Sequence, residues 1–167
     1  MTRPITFEPD PQLDLVLERT VNVPAHLIWM AWTRPELLKR WFTPEPWQTV
    51  DCQIDARPGG IFRTVMRAPQ GQEFDNTGCI LEAVENERLV WTGALQPHYR
   101  PLARGTVPED SFLMTAAILL EARGSATHYT AIALHGDERS RARHEQMGFH
   151  TGWGKALEQL VALMKSR

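Results

Sequence analysis

The longest periodic pattern in the chain runs from residue 137 to residue 164, near its C-terminus. Apolar residues recur there at steps of three or four without an intervening proline, at Phe149, Trp153, Leu157, Leu160 and Met164. This spacing stacks them on one face of a helix. A face that includes a tryptophan needs a large apolar cover. The pattern therefore predicts one long amphipathic helix, and it predicts that the preceding chain covers that helix.

The first part of the chain has patterns typical of one strand and two short helices. Residues 13–23 alternate between apolar and polar types and end in β-branched residues, which predicts a first strand. Residues 25–32, after Pro24, place apolar side chains on one helical face, and a second short helix follows with Thr33 as its N-cap. Residues 1–12 include several prolines and are predicted to form a flexible arm.

From residue 49 the apolar pattern changes to a period of two, which is typical of half-buried strands. Paired glycines at Gly59 and Gly60 predict a turn between two of these strands. The predicted strands cover residues 50–54, 61–66, 74–84, 89–92, 112–121 and 127–135. Such short connections join antiparallel neighbours, whereas the long loop at 94–111 is of a length that is commonly functional. Together with the first strand, this predicts a curved sheet against the helix, in one α+β domain over residues 13–167.

Composition and charge narrow the function classes. The chain has 167 residues, of which 43% are hydrophobic, and this is the usual size of a single domain with one core. A net charge of −2, with scattered Lys and Arg, argues against nucleic-acid binding. We find neither a membrane-length apolar run nor an apolar signal region, so we expect a cytoplasmic protein without a membrane span. Cys52 and Cys79 have no metal-site spacing and are expected to be reduced thiols.

Several short motifs resemble those of one superfamily when they are taken in order along the chain. They are Val23-Pro24, Ile28-Trp29, Thr-Arg-Pro-Glu at 33–36, Trp-Phe-Thr-Pro at 41–44 and Asp-Ala-Arg-Pro-Gly-Gly at 55–60. This order resembles the helix-grip superfamily, which includes START domains, birch-pollen-allergen-like proteins and polyketide cyclases. Within that superfamily, four features resemble bacterial homologues of the activator of heat-shock protein 90 ATPase. They are Glu82, the strand 87–92, Met147-Gly148-Phe149 and Gly152-Trp153. The similarity covers residues 13–165.

The resemblance implies a helix-grip fold: a seven-stranded antiparallel sheet, with two short helices after its first strand, that wraps around the C-terminal helix. It also implies an apolar cavity between the sheet and that helix, which members of the superfamily use to hold lipids, hormones or polyketides. The side chains expected to line the cavity are Trp32, Trp41, Phe42, Phe62, Met66, Trp91, Met114, Ile118, Tyr129, Met147, Trp153 and Leu157. The alternative is that these side chains only fill the core.

Three polar side chains are candidates for acid–base chemistry: Glu82, His135 and Tyr129. A buried Glu82 would have a raised pKa, and the alternative is a rim salt bridge with an Arg. His135 ends the last predicted strand, where it could contact a ligand or simply hydrogen-bond a turn. His144 and His150 lack the spacing of a zinc motif. No nucleophile or phosphate-loop motif is present, so neither a metal nor a cofactor is predicted.

Three functional hypotheses follow. The first is binding of a hydrophobic small molecule through a cavity mouth at residues 41–47 and the 94–111 loop. The second is a chaperone-accessory module of the heat-shock protein 90 ATPase activator type, which would act in a stress response. The third is a cyclase- or hydrolase-type enzyme that uses the same cavity. In each case we expect a monomer or a weak homodimer.

Overall fold

The computed structural model describes residues 5–108 and 111–167. Its first half contains β1 (Asp14–Val21), α1 (Ala25–Thr33), α2 (Pro35–Leu38), β2 (Gln48–Ile54), β3 (Ile61–Arg67), β4 (Glu73–Val84) and β5 (Arg88–Thr92). A small ribbon follows, made of β6 (Leu95–Gln96), a 3-10 turn (Pro97–Tyr99) and β7 (Arg100–Pro101). The chain then continues through β8 (Met114–Arg123), β9 (Ala126–His135), α3 (Glu138–Gln146) and α4 (Phe149–Lys165).

One antiparallel sheet of seven strands organises the molecule, in the order β1-β9-β8-β5-β4-β3-β2. Six strands of the sheet pair as antiparallel neighbours in chain order, namely β2, β3, β4, β5, β8 and β9, while β6 and β7 form their own ribbon. Strand β1 pairs with β9 along its whole length, from Asp14 opposite Leu134 to Val21 opposite Thr127. Helices α1 and α2 carry the chain from the β1 edge to the β2 edge, and α4 packs against β1 and α1. The predicted α+β fold, in which a curved seven-stranded sheet covers a C-terminal helix, is confirmed.

The C-terminal helical segment is two helices, so the prediction of one continuous helix over residues 137–164 is wrong. The chain bends at Gly148, whose φ of 91° is a left-handed conformation that glycine adopts without steric cost. The first helix, α3, begins at its N-cap Asp137, whose carboxylate accepts a 2.7 Å hydrogen bond from the Ser140 backbone N–H. The predicted apolar stripe therefore belongs to α4 alone.

Two further predictions need correction. Thr33 does not cap the second helix: its hydroxyl donates a 2.7 Å hydrogen bond to the Trp29 carbonyl within α1, and Arg34 occupies the N-cap position of α2. The 94–111 segment is not entirely irregular, because the β6–β7 ribbon forms within it. Residues 109 and 110 of that segment, and residues 1–4 of the N-terminal arm, lie outside the described residues.

Apolar side chains pack on both faces of the sheet. The larger cluster lies on the inner face, which we define as the face covered by α1, α2 and α4. A smaller cluster on the outer face contains Val90, Ala117 and Ile132, and Phe7 from the N-terminal segment packs against it. The guanidinium carbon of Arg88 lies 5.1 Å from the Phe7 ring centroid, a cation–π contact that covers this cluster.

Candidate functional site

Five aromatic side chains meet on the inner face and form what we call the aromatic cluster: Trp32, Trp41, Phe42, Phe62 and Trp91. Trp32 ends the buried face of α1, and its ring centroid lies 4.8 Å from that of Trp41 and 5.3 Å from that of Trp91. Phe62 of β3 stacks on Trp91 of β5 with centroids 4.4 Å apart. The sequence predicted all five as site residues, and the fold brings them into one contiguous apolar surface.

The other predicted lining residues are distributed unevenly. Ile118, Tyr129 and Leu157 are buried within the inner-face core, while Met66, Met114 and Trp153 are half-buried. The side chain of Met147 is a correction to the predicted set, because it is 72% exposed at the bend between α3 and α4. Met147 immediately precedes the bend at Gly148, and the apolar stripe of α4 begins only after that bend, at Phe149.

An open groove of about 580 Å³ lies on the surface beside the aromatic cluster. It runs between the segment from α2 to β2 and helix α4, and we call it the outer groove. Trp41 and Phe42 line this groove and also belong to the aromatic cluster, so the two features are continuous. Lys39, Glu45 and Trp47 contribute polar and aromatic groups to its walls. Residues 41–47 are one part of the predicted cavity mouth, whereas no described residue of the other part, the 94–111 loop, lines this groove.

Gln159 of α4 ties the outer groove together, and the sequence reasoning missed it. Its side-chain nitrogen donates hydrogen bonds to the carbonyl oxygens of Trp41 at 2.9 Å and Thr43 at 2.8 Å. Its side-chain oxygen accepts a third hydrogen bond, at 3.0 Å, from the Glu45 backbone N–H. The only signal in the sequence is a polar residue beside the buried position Leu160 on an amphipathic helix, and that signal is common on helix surfaces.

Two of the three buried indoles of the cluster, those of Trp41 and Trp32, differ in their hydrogen bonding. The Trp41 N–H donates a 3.0 Å hydrogen bond to the Ala31 carbonyl. The Trp32 N–H, on a side chain only 3% exposed, has no hydrogen-bond partner among the described residues. Burial strongly raises the pKa of Tyr129, and the nearby Trp32 N–H lowers that pKa slightly without reaching hydrogen-bond geometry. The Tyr129 phenol is therefore neutral.

Glu82 does not face the aromatic cluster. It pairs in register with Val90 of the outer-face cluster, and its carboxylate lies 2.5 Å from Arg88 Nε. That contact is an ion pair without good hydrogen-bond alignment, and a second Arg88 nitrogen donates to Glu82 at 3.3 Å. The structure thus matches the salt-bridge alternative for Glu82 rather than a free acid or base in the interior.

His135 forms a buried pair with His144. The Nδ1 atom of His135 lies 2.7 Å from the Leu13 carbonyl oxygen, and its Nε2 atom lies 2.9 Å from His144 Nδ1. A carbonyl oxygen can only accept, so we assign the protons to Nδ1 of both rings, which makes His144 the donor to His135. Burial, followed by the charge of His135, lowers the pKa of His144 to about 4. The His144 ring is therefore neutral at physiological pH.

The three candidates for acid–base chemistry do not meet. Glu82 lies on the outer face, Tyr129 lies within the inner-face core, and His135 is bonded to His144 and the first strand. Across residues 5–108 and 111–167, no group of three or more His, Cys, Asp or Glu side chains could hold a metal ion. Within the same residues, no helix is long and apolar enough to cross a membrane.

A curved antiparallel sheet that grips a C-terminal helix, with an aromatic inner face beneath that helix, defines a helix-grip domain. Residues 22–165 match the family model described as "Activator of Hsp90 ATPase homolog 1-like protein". The chain belongs to this family, as the sequence motifs predicted.

Solved structures agree with this assignment. A crystal structure of a Nitrosomonas europaea protein is 47% identical, covers 95% of this chain and 97% of its own, and superposes with a TM-score of 0.88. An Arthrobacter aurescens protein (19% identity, 98% and 92% coverage, TM-score 0.78) and a Silicibacter pomeroyi protein titled AHSA1 (21% identity, 91% and 97% coverage, TM-score 0.64) share the fold. No curated protein matches the chain.

Proposed function

We propose that this protein binds a hydrophobic small molecule at the aromatic cluster, with the outer groove as the entrance. The observation that carries the proposal is that Phe42, which is half-buried, belongs to both features, so a ligand in the groove lies beside the cluster. The groove, of about 580 Å³, is open to solvent and has several polar side chains in its walls, so most apolar contacts of a ligand would come from the aromatic cluster.

Entry to the cluster requires the segment at residues 43–47 to move. Gln159 holds this segment against α4 through its three hydrogen bonds. The cluster rings contact one another, so an incoming apolar molecule would separate them and bury its own surface between them. Each square ångström of apolar surface removed from water contributes about 25 cal/mol. The outer groove would thus be the entrance of the site, and the aromatic cluster would be its apolar interior.

The test uses N-phenyl-1-naphthylamine, an uncharged apolar fluorophore. We expect it to bind with a micromolar Kd, and Phe42→Ala to weaken this binding about tenfold or more, because truncation removes a phenyl group from the site. Phe7→Ala is the matched control, since it removes an equally half-buried phenyl group from the outer face. Absence of binding to the wild type, or equal weakening by both variants, would contradict the proposal.

A chaperone-accessory function is the second candidate, and the description of the matching family model favours it. Its test is the ATPase rate of a bacterial chaperone of the heat-shock protein 90 class, measured at saturating concentrations of this protein. A changed rate would support this role, and an unchanged rate together with no co-purification would remove it. The cyclase or hydrolase hypothesis has no comparable support, because its candidate residues lie in separate environments. A cytoplasmic location stays a prediction.

A further inference from the structure

The unpaired indole N–H of Trp32 distinguishes one point of the aromatic cluster from the rest. Its neighbour Trp41 donates its N–H to a backbone carbonyl, so that ring is satisfied within the protein. Elsewhere in the inner-face core, the Thr127 hydroxyl donates to the Val23 carbonyl at 2.7 Å. Among the described residues, the other buried side-chain atoms without a hydrogen-bond partner belong to Glu82, Arg88 and His128, outside the aromatic cluster. Buried polar groups are nearly always hydrogen-bonded, so an unpaired donor of this kind calls for an explanation.

The surroundings of Trp32 define which partner would suit it. Three aromatic rings surround the indole, those of Trp41, Phe42 and Trp91, and none of them offers a strong acceptor atom. The Tyr129 hydroxyl is also near the indole N–H, but it does not reach hydrogen-bond geometry with it. Among the described residues, the buried side chains include no Lys or Arg. An anionic group beside Trp32 would therefore be buried without a counter-charge, which is strongly unfavourable.

We infer that the ligand of the proposed site is an uncharged apolar molecule with one hydrogen-bond acceptor oxygen, such as a ketone or ester, that accepts from the Trp32 N–H. The Tyr129 hydroxyl, which is near the indole N–H but short of hydrogen-bond geometry with it, can donate to the same oxygen. This inference rests on the proposed function, and it specifies the ligand class and the residue that selects it. A site with a buried donor discriminates sharply against a ligand that leaves the donor unpaired.

The test compares two probes of the same shape, 2-acetylnaphthalene and 2-isopropenylnaphthalene, which differ in a carbonyl oxygen against a methylene group. We expect the wild type to bind the ketone about tenfold more tightly, since only the ketone pairs the buried donor. We also expect the ketone, but not the hydrocarbon, to move the indole N–H resonance of Trp32 downfield in a ¹H–¹⁵N spectrum. Comparison with Trp32→Phe assigns that resonance among the six tryptophans.

Two variants separate the donor from the ring. Trp32→Phe should bind the ketone and the hydrocarbon about equally well, because the substitution keeps an aromatic ring but removes the donor. Trp41→Phe is the control: its N–H is already bonded to Ala31, so the preference should persist. If Trp32→Phe does not fold, through-space contacts in the wild-type spectrum assign the Trp32 indole resonance instead, and that resonance decides the question together with the affinity ratio.

The outcomes distinguish this inference from the function on which it rests. If neither probe binds the wild type, the proposed function fails and the inference fails with it. If both probes bind with equal affinity, or if the ketone moves a different indole resonance, apolar binding stands and the role of Trp32 is overturned. Tighter binding of the ketone with a shift of the Trp32 resonance supports both.

Discussion

Replacement of Gln159 by alanine tests how the segment at residues 43–47 is held against α4. The variant loses three hydrogen bonds of 2.8 to 3.0 Å between α4 and the segment from Trp41 to Glu45. A net hydrogen bond contributes about 0.5–1.5 kcal/mol. The bond to Glu45 is exposed and water can replace it, and alanine slightly favours the helix. The expected loss in the free energy of unfolding is therefore about 2 kcal/mol.

Two assays report this loss. In thermal unfolding, about 2 kcal/mol corresponds to a decrease in Tm of about 4–8 °C for a chain of this length. In hydrogen exchange, we expect faster exchange of the amides at residues 43–47, while those of the central strands β5 and β8 change only with global stability. Gln159→Glu should lose at least as much at neutral pH, because its carboxylate faces the carbonyl oxygens of Trp41 and Thr43.

Glu158→Ala provides the matched control for Gln159→Ala. Glu158 is the preceding residue of α4, is exposed, and makes only a 4.0 Å ion pair with Arg19. Exposed ion pairs contribute about 0–1 kcal/mol, so this variant should change Tm little. Equal effects of the two substitutions, or unchanged exchange at residues 43–47 in Gln159→Ala, would refute the role assigned to Gln159.

Three further predictions concern the histidine pair, the bend before α4 and the outer face. Because the pKa of His144 is about 4 when folded and about 6.5 when unfolded, the unfolded state binds its proton first as pH falls. Stability should decrease by about 2–3 kcal/mol between these pH values, and denaturant titrations of His144→Asn should lose that dependence. Gly148→Ala should lower the free energy of unfolding by about 1–2 kcal/mol, because alanine is strained at the positive φ of the bend. Gly152→Ala, inside α4, should raise that free energy by about 0.5–1 kcal/mol, because alanine favours the helix. The opposite order of stabilities in urea titrations would contradict the bend at Gly148. Glu82→Gln should leave the Kd for N-phenyl-1-naphthylamine unchanged, and a severalfold increase in this Kd would show that Glu82 contributes to the binding site.

The partners of the polar site residues were not predictable because they come from distant parts of the chain. Gln159 bonds to Trp41 across 118 sequence positions, and His135 bonds to Leu13 across 122. A sequence pattern reports the face of an element on which a side chain lies, but not which polar atom the fold places opposite it. The unpaired N–H of Trp32 is a property of this kind, since Trp41 differs from it only in having the Ala31 carbonyl within reach.

Glu82 illustrates why strand alternation left its orientation open. The pairing register between β4 and β5 shifts between Ile80 and Glu82, so the alternation of faces is interrupted at that point. As a result Ile80 packs in the inner-face core while Leu81 and Glu82 face outward, toward the second cluster and Arg88. The bulge arises from strand pairing, which the local sequence does not specify.

The sequence alone determined the elements and their class: alternating residues for the strands, a stripe at steps of three and four for α4, and motifs in the order of the helix-grip superfamily. These features are local and repeat along the chain, so they can be read without knowledge of the packing. Only the tertiary structure decided that the last segment bends at Gly148, that Met147 is exposed and that Gln159 binds the backbone at Trp41. The physical reason is that burial and hydrogen bonding depend on which distant residues the fold brings together.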